Sequence, residues 1–215
     1  MSGAMRRIDP TLGPRADLYA HFRGFARPTY TVCARVDVSQ VLARGGGVFP
    51  VLLRQVMCAV NAVPELRQRI RQEDGRDVIV EHEVVHSTCT VRQPGAFTFC
   101  HMNHLPDRAA FLRQVPVWVQ AAAERPGLNL SGERRDDMVF LSTLPWVDFT
   151  SVQHAETGDA DDCVPRVIWG KVVAGHVQVC VTAHHSLVDG AHLARFFAHL
   201  EDPDLDSVPV RGPTR

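Results

Sequence analysis

The sequence predicts an α+β fold in two layers, a mixed β-sheet packed with helices. Helix and strand signals alternate irregularly along the 215 residues, with neither a βαβ rhythm nor an internal repeat. Two strand runs, residues 166–173 and 176–183, are separated by Ala174-Gly175, a hairpin signal. A closing helix over residues 191–200 carries Leu193, Phe196, Phe197 and Leu200 at i, i+3, i+4 and i+7, a stripe that must face a core.

The remaining elements follow in order. Residues 17–25 read as a short helix, ended by the Arg27-Pro28 step, because the residue before a proline avoids the helical region. Residues 29–38 are rich in β-branched and aromatic side chains and read as a strand. Gly45-Gly46-Gly47 is a loop. Residues 51–63 are apolar around too broad a face for a surface helix and read as a buried one. Asp74-Gly75 marks a turn, and residues 78–91 and 97–103 are strand candidates. Pro106-Asp107 opens a helix running to Ala123, which Pro116 should interrupt. Residues 138–144 form a strand stopped by Pro145, and residues 155–162 are an acidic loop.

The chain reads as a single domain over residues 1–215, with a polar tail from about residue 202. A second methionine at position 5 reads as an addition outside the fold, so the opening residues are left out of the fold reasoning. The 23 basic and 24 acidic residues nearly cancel, which gives no electrostatic reason to expect nucleic acid or an anionic membrane as partner. No apolar run approaches the roughly 20 residues of a membrane span, and the N-terminus lacks a signal-peptide core. The six cysteines, Cys33, Cys58, Cys89, Cys100, Cys163 and Cys180, form no Cys-x-x-Cys pair. They are expected to be free thiols in a cytoplasmic protein. No metal site is expected, since neither a His-Glu-x-x-His motif nor a carboxylate cluster occurs.

The most informative stretch is His184-His185-Ser186-Leu187-Val188-Asp189-Gly190, between a strand and a helix. A turn there suits a site, and a histidine can act as general base near neutral pH. By itself the motif is weak, because a paired histidine at a strand end is more often structural. Its ordered form, His-His-x-x-x-Asp-Gly, is shared by several CoA-dependent acyltransferases and by condensation domains of peptide synthetases.

The resemblance goes further, to the chloramphenicol acetyltransferases. Ser142-Thr143-Leu144-Pro145-Trp146-Val147-Asp148-Phe149 closely resembles that family's Ser-Ala-Leu-Pro-Trp-Val-Asn-Phe, at a matching distance from the histidines. Residues 184–197 look like its C-terminal signature, and Phe49-Pro50-Val51, Ala59-Val60-Asn61 and Glu65-Leu66-Arg67 match as well. The likeness spans roughly residues 12–200.

That resemblance implies the family's fold and an enzyme moving acetyl from acetyl-CoA to a hydroxyl in a ternary complex. It implies His185 as general base and Ser142 as donor to the tetrahedral oxyanion. Asp189 and Arg15 would pair to fix the turn that aims His185. Acceptor-pocket positions fall on His21, Phe22, Tyr30, Phe97, Phe99, His154, Glu156 and Ile168. His21, His154 and Glu156 stand where the family uses bulky apolar residues, so these positions either bind a more polar acceptor or face solvent. The family is trimeric, with the base of one subunit facing the acceptor pocket of the next, so a homotrimer is implied.

Three other readings compete. A same-fold acyltransferase with a different, more polar acceptor is one; the catalytic core of a dihydrolipoyl acyltransferase is its best-known form, but it typically has Arg where this chain has Ser186. A non-catalytic relative that binds a ligand is opposed by the presence of both His185 and Ser142. A serine hydrolase lacks its Gly-x-Ser-x-Gly elbow here.

Overall fold

The structure, a computed structural model, describes residues 5–130 and 135–205. The chain opens with β1 (Met5–Ile8) and α1 (Ala16–Arg23), followed by β2 (Thr29–Asp37), α2 (Ser39–Ala43) and α3 (Val48–Ala62). A 3₁₀ turn at Pro64–Arg67 leads into β3 (Gln68–Glu73), β4 (Arg76–His82), β5 (His86–Gln93) and β6 (Ala96–Met102). Then come α4 (Arg108–Ala123), β7 (Met138–Thr143), β8 (Arg166–Trp169), β9 (His176–His184) and α5 (Gly190–Glu201).

The strands form two sheets. Six make a mixed sheet in the order β2-β9-β8-β7-β5-β6, and three make a small antiparallel sheet in the order β1-β4-β3. In the large sheet β5, β7 and β8 run parallel and the other pairs antiparallel. Side chains alternate between its faces. Val177, Val179, Val181, Val167, Leu141 and Cys89 point to one face and are buried with α3, α4 and α5. Burying such a layer supplies the main driving force for folding. The register places Thr31, Thr182, Arg166 and Phe140 together on the opposite face, and Cys33, Cys180, Ile168 and Ser142 beside them.

Two of the two-residue hairpins obey one rule. Asp74-Gly75 joins β3 to β4 with φ of 50° and 74°, and Ala174-Gly175 turns into β9 with φ of 49° and 79°. Two successive positive φ values are what a type I′ turn demands. The strand expected over residues 166–173 nevertheless ends at Trp169. Past it, Gly170 lies against the Val147 carbonyl, where an added Cβ would sit 2.8 Å from that oxygen, and Lys171 N–H donates to the same carbonyl at 2.9 Å. The ladder therefore leaves the sheet and resumes with the Val173–His176 bridge.

The strand expected over residues 78–91 is two strands in two sheets. Asn61, buried on α3, takes both backbone groups of Val85: its Nδ2 donates to the Val85 carbonyl at 3.0 Å and its Oδ1 accepts the Val85 N–H at 2.9 Å. Arg67 donates to the carbonyls of His82 and Glu83. These side chains replace ladder partners where the chain crosses between sheets. Residues 5–8, set aside as lying outside the fold, instead form β1, because they pair with β4 from Met5–His82 to Ile8–Ile79. β3, α2 and the 3₁₀ turn were not foreseen either. β3 is charged, but its Arg69 is buried and satisfied by the carbonyls of Leu66, Gln68, Asp136 and Met138. α4 runs through Pro116 without interruption, capped by Asp107, which accepts from Ala110 N–H at 2.6 Å. In the stretch read as a polar tail, Leu205 is buried and the Asp202 carbonyl accepts from Gln55. Residues 206–215 of that tail lie outside the described residues.

The expectation of six free thiols is corrected. Cys33 and Cys180 stand directly opposite each other in the β2–β9 ladder, with Cα atoms 4.0 Å apart, and are joined by a disulfide. Their separation of 147 residues hid that register in the sequence. Cys58, Cys89, Cys100 and Cys163 are not disulfide-bonded.

Candidate active site

β9 delivers His184 to the end of the sheet, and the chain turns at once into α5. The turn is closed by Leu187 and Val188 N–H groups, each donating to the His184 carbonyl at 3.0 Å. Leu187 and Val188 are buried, so the loop is pinned from below. His185 N–H donates to the Pro28 carbonyl at 2.8 Å, tying the turn to the chain just before β2.

The His185 imidazole sits between two aromatic rings. Phe22 lies nearly parallel to it with centroids 3.9 Å apart, and Tyr30 stacks at 4.3 Å and 26°. Nδ1 is buried without a hydrogen-bond partner among the described residues, so Nε2 is the nitrogen open to an incoming group. His21 and Phe25 extend this cluster outward, edge-on to Phe22 and to each other. The Tyr30 ring backs the imidazole; its hydroxyl is buried without a partner among the described residues, and burial together with the Asp189 charge pushes its pKa up to about 12.

Arg15 and Asp189 form the expected pair, and a second Arg15 nitrogen donates to the Leu187 carbonyl at 3.4 Å. Asp189 also caps α5, its Oδ1 accepting from Ala191 N–H at 3.0 Å and from His192 N–H at 3.4 Å. Burial opposes ionisation of Asp189, but the Arg15 hydrogen bond and the nearby charges of His192 and Arg15 outweigh it and hold the carboxyl below its ordinary range. His184 supports the turn from the other end. Its Nδ1 accepts from Ser186 N–H, which leaves Nε2 to donate to the Ala160 carbonyl at 3.1 Å. Burial keeps it neutral, although the Ala160 bond pulls the other way. In the sequence only its doubled position beside His185 signals His184.

Ser142 lies elsewhere, in β7, in register with Ile168 of β8, which in turn faces Cys180 of β9. From the strand spacing and rise, Ser142 and His185 of one chain are on the order of 15–20 Å apart. His154 reaches the same face. Its Nδ1 bonds the Thr182 hydroxyl at 2.8 Å, which bonds Thr31 at 2.6 Å, and its Nε2 is buried without a partner among the described residues. Burial first, then the Arg166 charge, lowers its pKa. Glu156 accepts from the Thr29 hydroxyl at 3.0 Å beside a shallow cleft that Arg27, Asp162 and Arg166 also line. Phe97 and Phe99 pack edge to face on β6, at the far end of the sheet from β2. The candidates thus fall into three groups within one chain: His21, Phe22 and Tyr30 around His185; His154, Ile168 and Ser142 on the sheet face opposite the core-facing valines, with Glu156 next to them; and the Phe97–Phe99 pair.

Among the described residues no group of three or more His, Cys, Asp and Glu side chains is placed to hold a metal ion, and no helix is long and apolar enough to cross a membrane.

The family model described as chloramphenicol acetyltransferase matches residues 4–201, nearly the whole chain and every site residue above. The chain belongs to the chloramphenicol acetyltransferase family. A chloramphenicol acetyltransferase of Campylobacter coli is 22% identical over 200 residues, covering 91% of this chain and 96% of the relative. Chloramphenicol acetyltransferase 2 of Escherichia coli is 24% identical over 203 residues, covering 91% and 94%. A solved chloramphenicol acetyltransferase superposes with a TM-score of 0.83 at 22% identity, over 93% of this chain and 99% of that one. The dihydrolipoamide acetyltransferase of Azotobacter vinelandii shares the fold more distantly, with a TM-score of 0.63 at 15% identity over 89% and 87% of the two chains.

Proposed function

We propose that His185 is the general base of an acetyl-CoA-dependent chloramphenicol O-acetyltransferase. The observation that carries this is the seat of the imidazole: clamped between Phe22 and Tyr30, with Nδ1 buried and Nε2 open. An alcohol is a poor nucleophile at neutral pH and needs a base within hydrogen-bond reach. Nε2 takes the acceptor's hydroxyl proton as its oxygen attacks the acetyl thioester carbon. The tetrahedral oxyanion accepts a hydrogen bond from the Ser142 hydroxyl, a contact worth roughly 3 kcal/mol in comparable sites. Collapse expels the CoA sulfur, which takes the proton back from the imidazolium. Donor and acceptor are bound together, and no acetyl-enzyme forms.

His185 and Ser142 of one chain are too far apart to serve one reacting carbon, so the site joins two copies. A closed homotrimer satisfies this, with His185 of one subunit meeting the Ser142 side of the sheet of the next. On that face Ile168, Phe97 and Phe99 supply apolar wall. Glu156 and, from the His185 side, His21 supply hydrogen bonds to the acceptor's polar groups. Arg15 and Asp189 act by holding the turn. The cytoplasm, where acetyl-CoA is made, is the compartment this chemistry needs, and neither nucleic acid nor membrane takes part.

Thiol release from acetyl-CoA with chloramphenicol and a panel of other hydroxyl acceptors tests the assignment. Acceptor-dependent release by the wild type, lost by at least ~10²-fold in His185→Ala, is expected. Release that survives the substitution would refute it.

A further inference from the structure

His192 is neither the base, the serine nor a member of the Arg–Asp pair, yet its ring bonds both sides of the turn that carries His185. It occupies the third position of α5 and is 8% exposed. Its Nδ1 accepts the backbone N–H of Asp189 at 3.0 Å, while its own N–H donates to Asp189 Oδ1. This is a reciprocal capping box, with histidine in the place usually held by Glu or Gln. Its Nε2 faces Glu65 Oε1 at 3.4 Å, and the other Glu65 oxygen accepts from Arg195 at 2.8 Å. Glu65 belongs to the 3₁₀ turn after α3. One buried ring thus links α3's end to the residue that closes the His185 turn. Since Nδ1 must be an acceptor, the ring's single proton is on Nε2.

We propose that His192 is a positioning residue for His185, holding the turn in its working shape only while its ring is neutral, so that acid releases the turn before it unfolds the protein. Protonating Nδ1 turns an acceptor into a donor that can no longer take the Asp189 N–H and must turn to Asp189 Oδ1, 3.4 Å away, so the reciprocal box is lost and the turn rearranges. The charged groups around the ring are Asp189 at the head of α5, Arg195 on α5, Glu65 on the 3₁₀ turn and Arg15 before α1. Burial first, with Arg15 and Arg195, disfavours the charged ring, while Glu65 and Asp189 pull the other way; the balance keeps it below the ordinary histidine range. At neutral pH the anchor is therefore intact.

The proposal rests on His185 as base, and the test separates the two. His192→Gln keeps a side-chain acceptor for the Asp189 N–H and cannot titrate; His192→Leu fills the space without an acceptor. At pH 8, kcat of His192→Leu should fall about 10-fold with the KM for acetyl-CoA little changed, whereas His192→Gln should stay close to wild type. The acid limb of log kcat should be steeper than one protonation in the wild type and of single-proton slope in His192→Gln. Amide hydrogen exchange at Asp189 should quicken in His192→Leu and not in His192→Gln. Wild-type kcat, pH profile and exchange in His192→Leu would overturn the anchor, as would a failure of Gln to restore them in a folded variant. Should the wild type show no acetyl transfer at all, the function falls, but Asp189 exchange still decides the anchor.

Discussion

Phe22 and His185 lie face to face, with ring centroids 3.9 Å apart and planes 7° from parallel. Tyr30 closes the other face of the imidazole. The imidazole is thus oriented by packing rather than by a hydrogen bond, since its Nδ1 has no partner among the described residues. An aromatic pair is worth about 0.5–1.5 kcal/mol beyond its buried area. Phe22→Leu should therefore lower kcat by roughly 2- to 10-fold with the fold intact, and Phe22→Tyr, which keeps the stack, should cost little. Equal kcat for wild type and Phe22→Leu would show that the stack does not orient the base.

The Cys33–Cys180 bond makes a countable prediction. Denatured without reductant, the chain should expose four titratable thiols, and after reduction all six of its cysteines. A cross-link closing a loop of 147 residues should stabilise the fold by up to about 5 kcal/mol through the unfolded chain's entropy. The urea midpoint of Cys33→Ser should fall accordingly. Six reactive thiols before reduction would mean the two cysteines are merely neighbours in the ladder.

Acid should destabilise the protein through buried neutral histidines. Burial first, then the charges of Arg54 and His86, lower the pKa of His104 to about 4, against about 6.5 in an unfolded chain. Because the folded value is the lower, the unfolded chain binds the proton first, so stability falls as pH drops from about 6.5 to about 4 and is unaffected above that window. His104→Leu removes this group and an unpartnered buried nitrogen together. Its urea midpoint should decline less than wild type between pH 7.5 and 4.5. Parallel declines would place the acid sensitivity elsewhere.

Much of this fold was legible because local signals and tertiary demands agreed. The α5 stripe, the Asp107 cap and the Ala174-Gly175 turn each carry their cause in adjacent residues. What could not be read depends on distant partners. Residues 78–91 look like one strand until Asn61, on another element, takes the backbone of Val85. β3 is too charged to read as a strand until Arg69 finds its carbonyls. The site divided in the same way. His185 and Asp189 came from an ordered motif and Arg15 from the family resemblance, and the structure brings them to one turn. Tyr30's position behind the base, His184's bond to Ala160 and the His192 anchor depend on chain crossings that spacing does not encode.

The central claim is that His185 of one subunit and Ser142 of another serve a single acetyl-transfer site. Subunits carrying His185→Ala and subunits carrying Ser142→Ala should each be nearly inactive by themselves. Unfolded together at equal amounts and refolded, they form mixed trimers in which about one site in four pairs an intact His185 with an intact Ser142. Thiol release from acetyl-CoA with chloramphenicol should then recover to roughly a quarter of wild type. No recovery in trimers shown by mass to be mixed would mean that both residues act from the same chain, and would contradict the account.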